Sequence, residues 1–174
     1  MWLLLEAWND VLDFLERGGD VLLIVLAVIL AMLALVIERF IYYRGHARLE
    51  RDIVRRWDAR NERRSWEAHE IRQAMIAEAD IGLKASLSMI KALVAVCPLL
   101  GLLGTVTGMI EVFDVMAYLG TGSARSMADG ISKATIPTMA GMVGALIGVF
   151  AITLLERRAR IMRIHLEDQL TFDH

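Results

Sequence analysis

The sequence predicts an all-α membrane protein: three transmembrane helices with long cytoplasmic helical extensions and an N-terminal interfacial helix. Three observations carry this reading. First, 56% of the 174 residues are hydrophobic and the mean hydropathy is +0.49, with the apolar residues gathered in blocks, as in chains that meet lipid. Second, residues 21–37 (VLLIVLAVILAMLALVI), 92–110 (ALVAVCPLLGLLGTVTGMI) and 134–155 (ATIPTMAGMVGALIGVFAITLL) hold no charge. A spanning helix needs roughly 17–25 mostly apolar residues, so each run qualifies. Third, eleven Lys/Arg lie between Arg44 and Lys91 and four more follow the third run (Arg157, Arg158, Arg160, Arg163), whereas 1–20 and 115–132 hold only Arg17 and Arg125. Basic loops stay in the cytoplasm, which puts the N-terminus outside and the C-terminus inside, as three spans require.

The elements follow in order. Residues 1–19 lack the basic start of a cleavable signal peptide. Their polar residues fall at 6, 9, 10, 13, 16 and 17, opposite Trp2, Leu5, Trp8, Leu12 and Leu15, so a periplasmic amphipathic helix is expected on the membrane surface. Gly18 and Gly19 should end it, and Asp20 can cap the first span over 20–43. Phe40, Tyr42 and Tyr43 give that span an interfacial aromatic end. The cytoplasmic region 44–88 is charged, free of proline and rich in helix formers. Leu49, Ile53 and Trp57 recur every four residues, and a second helix is expected from about Ser65 through Ile71, Met75 and Ala79, running on into the second span at 89–117. These basic runs read as a solvated helical stalk and topology signal. Arg39, Arg157 and Arg158 are placed at the inner interface, where they can also hold phospholipid headgroups. A short periplasmic loop, 118–129, makes an antiparallel hairpin of the second span and the third, 130–155. The cytoplasmic tail, 156–174, continues the third span's helical period.

Enzyme chemistry has nothing to stand on here. There is no Walker loop, GxGxxG or nucleophile elbow. Cys97 is the single cysteine, a small packing residue with no disulfide or CxxC site to form. His46, His69, His165 and His174 lack metal spacing. No cofactor, metal or nucleic-acid partner is expected.

The chemistry lies in small and polar residues within the apolar runs. Gly101, Gly104 and Gly108 recur at i, i+3 and i+7 beside Thr105. Thr138, Gly141, Ala145 and Gly148 share a face of the third span, with Gly144 and Gly148 as a small-xxx-small pair. Close helix packing accounts for the glycines and for Thr107 and Thr135. Thr105 and Thr138 ask for more, because Glu111 follows the first by six residues outward, about 9 Å, and Lys133 precedes the second by five, about 7.5 Å. If the threonines share a depth, so do Glu111 and Lys133. Pro137 cannot donate to the carbonyl of Lys133 and leaves that acceptor free. No apolar run holds a central carboxylate, so a proton carrier at mid-membrane would take its acid from another chain.

The stretches "PLLGLLGTVTGMIEVF" (98–113) and "GISKATIPTMAGMVGALIGVF" (130–150), with "ERGGD" (16–20) and "ERFIYYR" (38–44), resemble the ExbB/TolQ/MotA proton-channel family. Three spans without a long periplasmic extension point to ExbB or TolQ rather than four-span MotA, and the wording "ISKATIPTMAGM" (131–142) looks most like a short ExbB of an accessory TonB system. The resemblance implies a pore-forming subunit of a proton-motive motor in the bacterial inner membrane, assembled as a homopentamer. It implies two ExbD-like single-span partners carrying an intramembrane aspartate, and a TonB-like protein that is energised. On this basis Thr105 and Thr138 are pore-lining residues facing the partner aspartate. Protons are the transported ion. A TolQ-type role in outer-membrane integrity and a passive ion channel are the alternatives. One departure stands out: where the family often has a glutamate in the third span this chain has Lys133, and Glu111 supplies an acid in the second. The pair is expected either to bridge structurally or to make Glu111 a relay.

Overall fold

The computed structural model describes residues 2–59, 66–119 and 124–170, without the side chains of 3–5, 7–8, 10–13, 16–17, 46–50, 119 and 124–126. The full stripes expected of 1–17, the contact face of Leu49 and the centre of the 118–129 loop lie outside the described residues. Among those described the chain is helical, with no strand: α1 (Trp2–Asp58), α2 (Trp66–Lys84), α3 (Leu87–Leu119) and α4 (Ala124–Gln169). Stretches within Gly18–Gly45, Trp66–Tyr118 and Met127–Gln169 are long and apolar enough to cross a membrane. The protein is an all-α membrane protein.

Three boundaries differ from expectation. The stop at Gly18-Gly19 is a one-residue bend inside α1, with Gly19 at φ 66° and ψ −172°, a region essentially closed to residues with a Cβ. The helix from residue 66 does not run on into the second span. It stops at Lys84, and α3 starts at Leu87 after Ser86 has turned to φ 62°. Finally, α4 already begins at Ala124, because 124–129 (ARSMAD) contains no glycine or proline to hold it off.

The chain forms two compact units, Met1–Leu33 with Ala92–Val149, and Ala34–Lys91 with Phe150–His174. In the first, Leu22, Val25 and Met32 are buried along one stripe of α1, and Val94, Cys97 and Val112 along one stripe of α3. Leu23, Ile24, Leu99, Leu102, Leu146 and Ile147 stay exposed. Burial thus follows the 3.6-residue period even though the helices are apolar all round, as expected where lipid replaces water. In the second unit, Trp57, Ala68, Ile76, Ala79, Leu166 and Leu170 form a buried cluster, with Ile53, Val54 and Met75 packed on it. The stalk is therefore folded on a core, and Trp57 is almost wholly enclosed.

Candidate functional site: the seam between α3 and α4

In the first unit α3 and α4 meet along their small residues. Gly101 lies against Thr138, Gly104 against the ring of Pro137, Gly108 against Ala134 and Gly141 against the Cys97 carbonyl. The antiparallel register fixes what each polar side chain can reach. Thr138 Oγ1 donates to the Gly101 carbonyl at 2.8 Å, tying the two helices together. Thr105 Oγ1 donates to Leu102 O of its own helix at 2.7 Å. Thr107 bonds Leu103 O and Gly104 O, and Thr135 bonds Ile131 O and Ser132 O. The two threonines expected on one path therefore take different roles. Thr138 holds the seam, and Thr105 keeps a hydroxyl whose local bond is easily exchanged.

Thr138→Val is accordingly expected to loosen the α3–α4 contact by about 1 kcal/mol, the scale of an interhelical hydrogen bond in lipid. Thr138→Ser should restore it. Unfolding in a mixed-detergent titration reads both, and equal loss in both variants would sink the assignment.

Outward along the seam, Lys133 Nζ and Glu111 Oε2 stand 3.6 Å apart. That is an ion pair beyond hydrogen-bond length, with the side chains 38% and 59% exposed respectively. Glu111 and Lys133 thus meet within one chain. A loosely held, exposed pair is readily exchanged, and its contribution to stability is small.

In the second unit Arg39, expected at the inner interface and able to hold a headgroup there, gives its terminal nitrogens to protein acceptors. Arg39 is 7% exposed. Its Nη1 donates to Gly82 O at 3.1 Å and its Nη2 to Ser86 Oγ at 2.8 Å, and its guanidinium stacks on Tyr42 at 5.1 Å. Tyr43 OH donates to Leu83 O at 2.7 Å. These carbonyls belong to the last turn of α2, whose acceptors lack intrahelical donors. Arg39 and Tyr43, one turn apart on α1, cap α2. Arg72 serves the end of α4 in the same way, through Leu170 O at 2.7 Å and Glu167 O at 2.8 Å. Arg157 and Arg158 are exposed, and Arg158 lies 4.6 Å over the Phe40 ring. Sequence reasoning missed Arg72 and also the ion pair of Lys91 with Glu156. The signal for the caps was present: neither α2 nor α4 ends on a glycine, so the terminal carbonyls need donors from elsewhere.

Chemically, the seam offers hydroxyls, free carbonyl lone pairs and one exchangeable acid–base pair. Among the described residues no group of His, Cys, Asp and Glu could hold a metal ion. The profile of the MotA/TolQ/ExbB proton channel family matches residues 37–168, which takes in both faces of the seam. A Synechocystis protein named as an ExbB-like 1 biopolymer transport protein is 41% identical over 70 residues, covering 38% of this chain and 28% of that protein. The Vibrio cholerae biopolymer transport protein exbB1 is 36% identical over 89 residues, 51% of this chain and 39% of that one. A Helicobacter pylori ExbB-like 1 protein is 33% identical over 73 residues, 42% and 39% of the two chains. The chain therefore spans well under half the length of these relatives. With the family profile covering most of the chain, and the seam residues inside the match, the protein belongs to the MotA/TolQ/ExbB proton channel family.

Proposed function

We propose that this chain is the pore-forming subunit of a proton-motive-force-driven motor of the bacterial inner membrane, of ExbB–ExbD type, that energises TonB-dependent import. The observation that carries the reading is the polarity of the seam. It presents the exchangeable hydroxyl of Thr105 and, one turn and more outward, the Glu111–Lys133 pair, yet residues 92–110 contain no acid. A proton crossing that depth must ride on a carboxylate from another chain. An ExbD-like single-span helix with an intramembrane aspartate supplies it. Thr105 then donates to the ionised carboxylate or accepts from the protonated one, and either exchange costs only a local bond. Thr138, its proton given to Gly101, retains lone pairs that can accept from the protonated acid.

The broad exposed apolar faces of α3 and α4 (Leu99, Leu102, Val106, Leu146) are covered in this reading by copies of the chain in a pentamer and by phospholipid. The N-terminus is periplasmic and the C-terminus cytoplasmic, and a TonB-like protein takes up the work.

The test is proton uptake by proteoliposomes under a membrane potential. The chain alone is expected to be nearly silent, and the complex with its aspartate-bearing partner to conduct. Thr105→Val should lower the flux by about tenfold, the scale of one hydrogen bond to a charged group, while Thr105→Ser retains it. Conduction by the chain alone would overturn the reading in favour of a passive channel. Loss of detergent resistance rather than of siderophore-dependent growth on deletion would assign it to TolQ-type service.

A further inference from the structure

A recess of about 270 Å³ opens beside the bend in α1, where Gly19 and Asp20 stand with Thr107 and Glu111 of α3 and Lys133 of α4. Asp20 and Gly19 precede the residues matched to the family, 37–168. The placement of Asp20 depends on Gly19, whose φ of 66° and ψ of −172° only glycine adopts comfortably. The charges that line the recess among the described residues are Asp20, Glu111 and Lys133. An ammonium beside a route for cations would repel them. Glu111, at 3.6 Å, neutralises Lys133, and Asp20 turns the balance to one net negative charge. A concave site with one excess sign still concentrates counter-ions through its field, most strongly at low ionic strength where exposed charges are least screened.

We infer that this recess is a cation-selective access chamber in which Asp20 over-compensates Lys133, so that hydrated monovalent cations, hydronium included, collect beside Glu111 while anions are excluded. Its part in proton delivery rests on the proton-motive reading above; its charge selectivity does not. Lys133 is then tolerated beside the recess because a second carboxylate, brought by the bent α1, restores a negative field.

Thr107→Cys in a Cys97→Ala background places a reporter thiol on the recess wall, in membranes holding the assembled complex. Its rates of modification by a cationic and an anionic methanethiosulfonate are compared after division by their rates with a free thiol. At low ionic strength the cationic reagent is expected to be favoured about 5- to 10-fold. Asp20→Asn should bring the ratio near one, Asp20→Asn with Glu111→Gln should invert it, and Lys133→Gln should raise it. About 0.5 M salt should shrink all these differences. A ratio near one in the otherwise unaltered protein, a ratio unmoved by Asp20→Asn, or a thiol inert to both reagents would each overturn the inference. In the same complexes Asp20→Asn should lower proton flux several-fold at low salt and less at high salt. A ratio that shifts while flux does not would overturn the chamber's part in delivery. A ratio that shifts in complexes that never conduct would overturn the proton-motive reading and leave the selectivity standing.

Discussion

Gly141→Ala and Gly108→Ala should each destabilise the first unit by about 2–3 kcal/mol, whereas Gly144→Ala should cost under about 1 kcal/mol. The difference lies in what the added methyl meets. At Gly141 it would come within 2.6 Å of the Cys97 carbonyl oxygen, and at Gly108 within 2.7 Å and 2.8 Å of the Ala134 Cα and N. Those are backbone atoms of the opposite helix, and they yield only if the whole seam separates. At Gly144 the methyl meets Cδ1 and Cγ1 of Ile29 at 2.5 Å and 2.6 Å, the end of a side chain that can rotate away. Separation of α3 from α4 would also break the Thr138–Gly101 bond, so the two costs compound. The fraction of detergent-solubilised chain that resists unfolding by added dodecyl sulfate measures the series. Equal losses at all three positions would show that the seam is not backbone-tight.

That contrast shows what was legible in the sequence and what was not. Spacing alone marked Gly101, Gly104, Gly108, Gly141, Gly144 and Gly148 as packing residues, because a small-residue stripe at helical period has few other uses in lipid. The small-xxx-small pair Gly144/Gly148 carries the same spacing signal as the others. Yet Gly148 meets the side chains of Val94 and Met32, and Gly144 that of Ile29. Which glycine faces backbone depends on the rotation of each helix about its own axis, and periodicity fixes that only to within a residue or so. The Glu111–Lys133 contact was legible only to within about a turn: Thr138 faces Gly101 rather than Thr105, so the threonines they were counted from do not share a depth, and two long side chains span the offset. The partner of Thr138 was not legible, since a hydroxyl near a helix contact can bond across it or to its own turn with similar energy. The break at Ser86 was hidden for a further reason: no glycine or proline marks it. It is held by side chains more than forty residues away, an interaction that local propensity cannot express.

Those side chains give the largest expected effect in the second unit. Arg39→Leu should destabilise it by about 2–4 kcal/mol, because it removes a charged donor and leaves Gly82 O and Ser86 Oγ without their partner in a nearly closed site. The lost positive charge also stood at the C-terminus of α2, where it opposes the helix dipole. Tyr43→Phe should cost about 1 kcal/mol through the Leu83 carbonyl. Arg39→Lys should fall between, since one ammonium lacks the fork that reaches Gly82 and Ser86 together. The double variant Arg39→Leu/Tyr43→Phe should lose less than the sum: once either cap is gone the last turn of α2 frays, and the other bond has less order to preserve. Hydrogen exchange of the amides from Ile81 to Ile90, together with urea unfolding, reads both the local and the global effect. Strict additivity would sink the shared cap. The same variants separate this role from a headgroup site: a lipid ligand would make the Arg39→Leu loss fade in purely zwitterionic bilayers, whereas a cap for α2 keeps its cost in every lipid.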